Sequence, residues 1–230
     1  MHGEIRDYLP NRHAGGRWVG PPSDDTQLAF WALEQVLTDG GSVPETVAER
    51  FAHGRIFGIA RAVREFADAY RSGVRPWYRC SVPSAGTGAT RIRAPVLIPY
   101  LRTGGSDLWA DAALLALVTH NDTASLSCRV AFVSMLWQLL GMREAPPAEW
   151  WLDAYVSVAM DLETGQGYSP RYGVFRDYTG PLWRFIQETV GAAYADGLTV
   201  AQAGESWGSG AFVFETMATS TTRKRQSSGR

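Results

Sequence analysis

Hydrophobic residues recur at three- and four-residue steps along most of the chain, which is the spacing of one face of an α-helix. The first clear case has Leu28, Trp31 and Ala32 after Ser23, a favourable helix N-cap. The residues Asp39-Gly40-Gly41 are a typical helix end. The same reasoning predicts helices at about 23–39, 44–54, 59–70, 108–120, 123–140, 150–160 and 182–194, a proline-broken helical pattern at 91–101 and the start of another apolar helix at 207–217.

No segment alternates apolar and polar residues over a useful strand length, and no heptad persists. We therefore predict an all-α fold, a compact multi-helix orthogonal bundle. Residues 1–217 form one predicted domain. Residues 218–230 have no apolar face and include the consecutive basic residues 223–225, so we predict a disordered, polar, basic tail. The long connection at 72–87 lacks a helical pattern, and loops of this length are usually functional or mobile.

Charge and composition narrow the class of protein. The 230 residues include 22 Lys and Arg against 23 Asp and Glu, and 45% are hydrophobic, as in soluble globular proteins. A net charge of -1 gives no general attraction to nucleic acid or anionic membrane, so neither is an expected partner. The longest nearly apolar run, 130–142, is too short for a membrane span, and residues 1–10 lack the apolar region of a secretory signal.

The chain has two cysteines, Cys80 and Cys128, which is too few for a disulfide framework or a zinc site. We expect both to be buried thiols of a protein in a reducing compartment. This predicts a cytoplasmic location.

The first candidate site is Ser23-Asp24-Asp25-Thr26, at the predicted start of the first helix. Adjacent carboxylates beside hydroxyl groups suit a hard cation such as Mg²⁺, and two carboxylates can hold metals that activate water. The alternative is purely structural, because acidic residues in a first helical turn interact favourably with the helix dipole. Taken alone, the segment favours the structural interpretation.

The second candidate is the glycine-containing segment 84–89, which reads Ser-Ala-Gly-Thr-Gly-Ala. Glycines allow backbone amides to approach a phosphate, and a helix start that follows attracts anions. The segment is not the dinucleotide-binding fingerprint, because no strand precedes it and the third glycine is missing. The alternative is a turn before a proline-broken helix.

The third candidate is His120, in the sequence Thr119-His120-Asn121-Asp122 at the end of an apolar helix. An imidazole there can donate a hydrogen bond to a ligand oxygen or cap the C-terminus of the helix. On its own, the cap is favoured.

In this order, Ser-Asp-Asp-Thr, "PSAGTGATRIRAP" and "ALLALVTHNDTAS" resemble the ADP-ribosylglycohydrolase family, from about residue 22 to 217. The resemblance implies an all-α fold around a deep cleft with two Mg²⁺ ions. The implied reaction hydrolyses the N- or O-glycosidic bond of ADP-ribosylated proteins or small molecules and releases ADP-ribose. By position it implies Ser23, Asp24 and Asp25 as metal ligands, Asp24 and Asp25 as catalytic residues, and Ser84, Gly86, Thr87, Gly88 and His120 as substrate-binding residues.

The chain also departs from the family pattern. The Gly-Asp-Ala-Leu-Gly-like motif expected before the Asp pair is not present, nor is the late Gly-Gly-Asp-Thr-Asp-Thr motif that completes the metal sites. Ile92 stands where the family has an arginine. We therefore expect a member that is incomplete at both ends, that holds one Mg²⁺ or none and that has weak or no activity. The alternatives are an inactive ADP-ribose- or nucleotide-binding module and a structural protein that binds a partner through the basic tail.

Overall fold

The structure, a computed structural model, describes residues 10, 15–20, 22–83, 94–164, 167, 169–170, 174–208, 215 and 218. Within these residues the chain is helical and has no strand, which confirms the predicted all-α, compact bundle. The helices are α1 (Asp24–Asp39), α2 (Pro44–His53), α3 (Arg61–Arg71), α4 (Ser106–Leu117), α5 (Thr123–Leu140), α6 (Ala148–Leu162), α7 (Leu182–Ala195) and α8 (Val200–Trp207), with short 3₁₀ helices at Trp77–Cys80 and Ala94–Tyr100.

Helix α1 begins and ends where its sequence predicts. The side chain of Ser23 accepts a hydrogen bond from the amide of Thr26 and thereby satisfies one of the unpaired donors of the first turn. Gly40 follows the helix in the left-handed conformation with φ 71°, which glycine adopts at low steric cost.

The centre of the bundle is α5, which packs between α4 and α6. Its apolar and small residues are buried on most sides, including Cys128, Ala131 and Val133. Helix α6 packs in turn against α7, and Tyr155 and Phe185 contribute large buried side chains from these two helices. On the other side, the 3₁₀ helix Ala94–Tyr100 contacts both α1 and α4, so it joins the first helices to the centre.

Helix α5 is also long and apolar enough to cross a membrane, judged by length and composition alone. In the fold, 56% of this 18-residue stretch is buried by the rest of the chain. A core helix of a globular bundle has the same properties, and the packing against α4 and α6 accounts for the apolar composition.

Three segments differ from their predicted structure. Trp207 ends α8 rather than beginning a helix, because Gly208 follows with φ 89° and stops it. The helix itself begins at a capping box formed by Thr199 and Gln202. Prolines limit the predicted helical pattern at 91–101 to a 3₁₀ helix within its described residues, 94–101. The predicted connection at 72–87 contains the 3₁₀ helix Trp77–Cys80.

Residues 219–230 lie outside the described residues, so the basic tail stays a prediction. Glu215 and Ala218, near the end of the described chain, are helical and buried. Both cysteines are buried and reduced, as predicted.

Candidate functional site

The three residues predicted as metal ligands lie together at the start of α1. Ser23 Oγ accepts a hydrogen bond from the backbone amide of Thr26 at 3.2 Å and lies 3.1 Å from the Thr26 hydroxyl. Ser23 and Asp25 are exposed, whereas Asp24 is partly buried. The serine therefore has the structural role of a helix cap.

Asp24 connects α1 to the loop before α3. Its Oδ1 accepts a hydrogen bond from the amide of Asp25 at 3.1 Å, and its Oδ2 accepts one from the amide of Ala60 at 3.2 Å. Gln27, one turn later, donates to the carbonyl of Arg55 at 2.7 Å and accepts from the amide of Phe57 at 3.1 Å. Asp24 and Gln27 thus hold the loop of residues 55–60 against the acidic end of α1.

Gln27 has no signal in the sequence, because its partners are 28 and 30 residues away. Its carboxamide both donates to and accepts from the same loop, so two hydrogen bonds connect the loop to this one side chain.

The donor atoms at this helix start provide a test of the implied metal site. Two carboxylates and a hydroxyl are hard oxygen ligands, and Mg²⁺ typically binds one or two carboxylates while it keeps several waters. Among the residues that the structure describes, no group of three or more His, Cys, Asp or Glu side chains could hold a metal ion. These donors therefore do not complete a metal site among the described residues, and a bound Mg²⁺ stays a prediction.

His120 lies in a buried turn between α4 and α5. Its side chain is 3% exposed, and Nδ1 shares a 2.8 Å hydrogen bond with the hydroxyl of Thr119. The amide of His120 donates to the carbonyl of Ala116 at 3.1 Å and so continues the hydrogen bonding of the last turn of α4. The imidazole is therefore held in a fixed orientation at the end of that helix.

The turn that carries His120 is paired with the segment that leads into the predicted phosphate loop. Val82 and His120 form a parallel bridge, in which the amide of Val82 donates to the carbonyl of Thr119 at 3.1 Å. The amide of Asn121 donates to the carbonyl of Val82 at 2.8 Å, and the hydroxyl of Ser81 donates to the carbonyl of Leu117. Val82, two residues before the glycine segment, therefore lies directly beside His120.

The predicted phosphate-binding residues themselves, Ser84, Gly86, Thr87 and Gly88, lie outside the described residues. Ile92, at the position where the family has an arginine, also lies outside them. The bridge to His120 thus positions Val82, just before the loop, and the role of the loop stays a prediction.

Two buried carboxylates, Asp122 and Glu163, accept hydrogen bonds from backbone amides at the starts of helices. Asp122 is 4% exposed, and its Oδ1 accepts from the amide of Ser125 at 2.8 Å, as the N-cap of α5. Glu163, at the end of α6, accepts from the amides of Leu182 at 2.6 Å and Trp183 at 3.0 Å, at the start of α7. Burial raises the pKa of Glu163; the two amide hydrogen bonds oppose this shift, and the negative charge of Asp122 adds to it.

These observations define an all-helical protein with two notable features. One is the acidic start of α1, and the other is the buried turn with His120, which pairs with a residue just before the glycine segment. The family model for ADP-ribosylglycohydrolase matches residues 1–224 of the chain. The chain therefore belongs to the ADP-ribosylglycohydrolase family, and this membership supports a glycohydrolase-type function. The match extends beyond residues 22–217, over which the motifs indicated the resemblance. Comparisons with curated proteins and with solved structures found no significant match.

Proposed function

We propose that the chain hydrolyses the N- or O-glycosidic bond of ADP-ribosylated proteins or small molecules, that it uses Mg²⁺, and that its activity is weak. The observation that carries the proposal is the pair of carboxylates at the start of α1, Asp24 partly buried and Asp25 exposed, in a chain of this family. An exposed carboxylate is accessible to water, as a general base that activates water must be.

In the proposed reaction, water attacks the anomeric carbon of the ribose, and Asp25 accepts a proton from that water. The bond from the anomeric carbon to the acceptor nitrogen or oxygen breaks, and the acceptor takes up the proton that Asp25 accepted, directly or through solvent water. The products are ADP-ribose and the unmodified acceptor. Asp24 contributes by positioning, because its two hydrogen bonds hold the start of α1 against the loop of residues 55–60.

Asp24, Asp25 and Ser23 would hold Mg²⁺ in this proposal, and the ion when bound would polarise oxygen atoms of water or substrate. His120 and the glycine segment would bind the ADP-ribose group. Val82 supports this assignment, since its bridge to His120 places a residue just before the glycine segment beside the histidine. A cytoplasmic location is part of the proposal and rests on the two reduced cysteines.

Weak activity follows from the donor set. Mg²⁺ requires near-octahedral coordination, and the described residues offer two carboxylates and a hydroxyl at the candidate site. The same observation favours a second candidate function, an inactive module that binds ADP-ribose without hydrolysis. The two functions predict the same ligand and differ in turnover and in their need for metal.

A combined binding and turnover experiment separates them. Thermal unfolding is measured with and without ADP-ribose, in Mg²⁺ and in EDTA, and release of ADP-ribose from an ADP-ribosylated peptide is measured in the same buffers. A ligand at 100 times its Kd adds about 2.7 kcal/mol to the free energy of unfolding. We expect stabilisation that depends on Mg²⁺ and slow turnover, with both reduced in Asp25→Asn.

The matched control is Asp153→Asn, which changes an exposed aspartate on α6 without altering the start of α1. It should leave ligand binding and turnover unchanged. Stabilisation that is equal in EDTA, without turnover, would favour the inactive binding module. Absence of stabilisation by ADP-ribose under every condition would contradict both functions.

A further inference from the structure

An open cavity of about 620 Å³ lies between the start of α4 and the C-terminal half of α5. This volume is in the range of small-molecule sites in proteins. Its lining consists of two indole rings, one leucine and several small or neutral polar residues and contains no charged side chain: Thr103, Gly105, Ser106, Leu108, Trp109, Ser134, Trp137 and Gln138.

The cavity is distinct from the region around His120. Helices α4 and α5 are consecutive and packed together, and the short turn between them contains His120. The cavity is lined from the opposite ends of both helices, by Ser106 and Leu108 on α4 and by Trp137 on α5. At 1.5 Å per residue, the 11 steps from Ser106 to Leu117 separate the cavity from the histidine turn by roughly 16 Å along α4.

One wall of the cavity is rigid. The indole Nε1 of Trp137 donates to the carbonyl of Tyr100 at 3.0 Å, which fixes the orientation of the ring. Gly104 packs directly on the same ring: a Cβ at this glycine would lie 2.5 Å from an indole carbon of Trp137. Trp109, in contrast, is 39% exposed and forms the rim. A flat ligand would therefore meet a preorganised aromatic surface, which reduces the entropy cost of binding.

The polar groups of the cavity retain hydrogen-bonding capacity. Ser134 is 5% exposed, and its Oγ accepts from Gln138 Nε2 at a long 3.4 Å. Within the described part of the chain, the side chains of Ser134 and Gln138 make no other hydrogen bond. The serine hydroxyl proton and the glutamine carbonyl oxygen are therefore left for a ligand. In the open cavity water can accept the serine proton, and a ligand acceptor would replace that water.

We propose that this cavity binds a neutral, planar heteroaromatic molecule of purine size, with the purine ring of a nucleoside as the representative ligand. Indole rings stack on purine faces, and a glutamine carboxamide can pair with the amino group and ring nitrogen at the edge of adenine. The uncharged lining favours a nucleoside over a nucleotide, because a buried phosphate without a cationic partner is unfavourable.

Adenosine is the probe, and its binding to the full chain is measured by isothermal titration calorimetry. We expect saturable binding at millimolar concentrations or below, weakened about tenfold in Trp109→Ala, because loss of one base–aromatic stack typically has an effect of this size. Ser134→Ala and Gln138→Leu should also weaken binding. Trp18→Ala, at another exposed tryptophan, is the matched control and should leave the Kd unchanged.

Because the proposed ADP-ribose site would also accept an adenine ring, His120→Ala is measured in parallel and should retain adenosine binding at the cavity. Loss of adenosine binding in His120→Ala with retention in Trp109→Ala would overturn the cavity proposal and leave the hydrolase proposal intact. Absence of adenosine binding at millimolar concentrations, or tighter binding of AMP than of adenosine, would also overturn it. Thermal unfolding of each variant checks that the altered chains are folded.

Discussion

The carboxylate of Glu163 lies 2.6 Å from the amide nitrogen of Leu182, so a side chain at the end of α6 caps the start of α7. A second hydrogen bond from the amide of Trp183 makes the carboxylate the acceptor for two of the first donors of that helix. The N-cap residue itself, Pro181, provides no side-chain hydrogen bond. Glu163 thus replaces the missing local cap.

The pH dependence of stability should reveal this buried carboxylate. Burial raises the pKa of Glu163 above its ordinary value of 4.5, so the folded chain keeps the proton at pH values where the unfolded chain has lost it. The stabilising contribution of this group is therefore complete below pH 4.5 and is lost as the pH rises through the folded pKa. We expect the Tm of the parent, relative to that of Glu163→Gln, to fall as the pH rises from 4 to 8.

Thermal melts of the two chains across this pH range provide the measurement. Glu163→Gln keeps an acceptor oxygen but does not titrate, so the difference isolates the carboxylate. Glu163→Ala should lower the free energy of unfolding by about 1–3 kcal/mol, because two amides at a largely buried helix start lose their acceptor. A constant difference in Tm between the parent and Glu163→Gln at every pH would contradict the shifted pKa.

Gly104 should tolerate alanine much less well than its neighbour Gly105. Both have positive φ, 59° and 91°, so alanine is strained at either position. At Gly104 the added Cβ would also overlap the ring of Trp137, whereas nothing lies within 4 Å of a Cβ at Gly105. Chemical denaturation should show Gly104→Ala to be less stable than Gly105→Ala by about 1–3 kcal/mol, the usual cost of overpacking. Equal losses would mean that Trp137 moves aside without cost.

Removal of the side-chain caps Ser23 and Asp122 should lower the free energy of unfolding by different amounts. Ser23→Ala should cost about 1 kcal/mol, because water can replace part of the lost hydrogen bond at this exposed position. Asp122→Ala should cost more, because the amide of Ser125 is buried where water does not reach it. Urea denaturation compares them, with Ser23→Thr and Asp122→Asn as cap-preserving controls. A smaller loss at Asp122 than at Ser23 would contradict the buried-cap argument.

The thiol of Cys128 should be unreactive in the folded chain. It is fully buried, 3.1 Å from the hydroxyl of Tyr155, and burial raises its pKa well above the ordinary value of 9.0. Since the thiolate is the reactive form, a thiol reagent at pH 8 should label Cys128 only after unfolding. Mass spectrometry of the labelled peptides gives the rate at each cysteine. Rapid labelling of Cys128 in the native chain would show that the centre of the bundle opens readily.

Features with local signals could be predicted from sequence. The cap at Ser23, the stop at Gly40 and the full extent of α5 follow from residues within one turn of each boundary. Helix α8 also has such a signal, Thr199 followed by Gln202, whereas the predicted helix was placed at the apolar residues from Trp207 onward.

Contacts between distant residues could not be predicted in this way. The bridge between Val82 and His120 joins residues 38 positions apart, and the cap of α7 by Glu163 spans 19 residues. Neither has a periodic or turn signature. The grouping of Ser23, Asp24 and Asp25 was predictable because they are consecutive. The hydrogen bond from the amide of Ala60 to Asp24 was not, because it depends on how α1 and the loop before α3 pack together.

The position of α5 between its two neighbours in the chain also has a kinetic consequence. An 18-residue apolar helix is a liability while it lacks partners, since exposed apolar segments promote aggregation. Its main packing partners are α4, immediately before it, and α6, immediately after it. These contacts have low contact order and form without closure of a long loop, which favours fast folding. During synthesis, this apolar helix can therefore be covered on both sides once residue 162 has emerged from the ribosome.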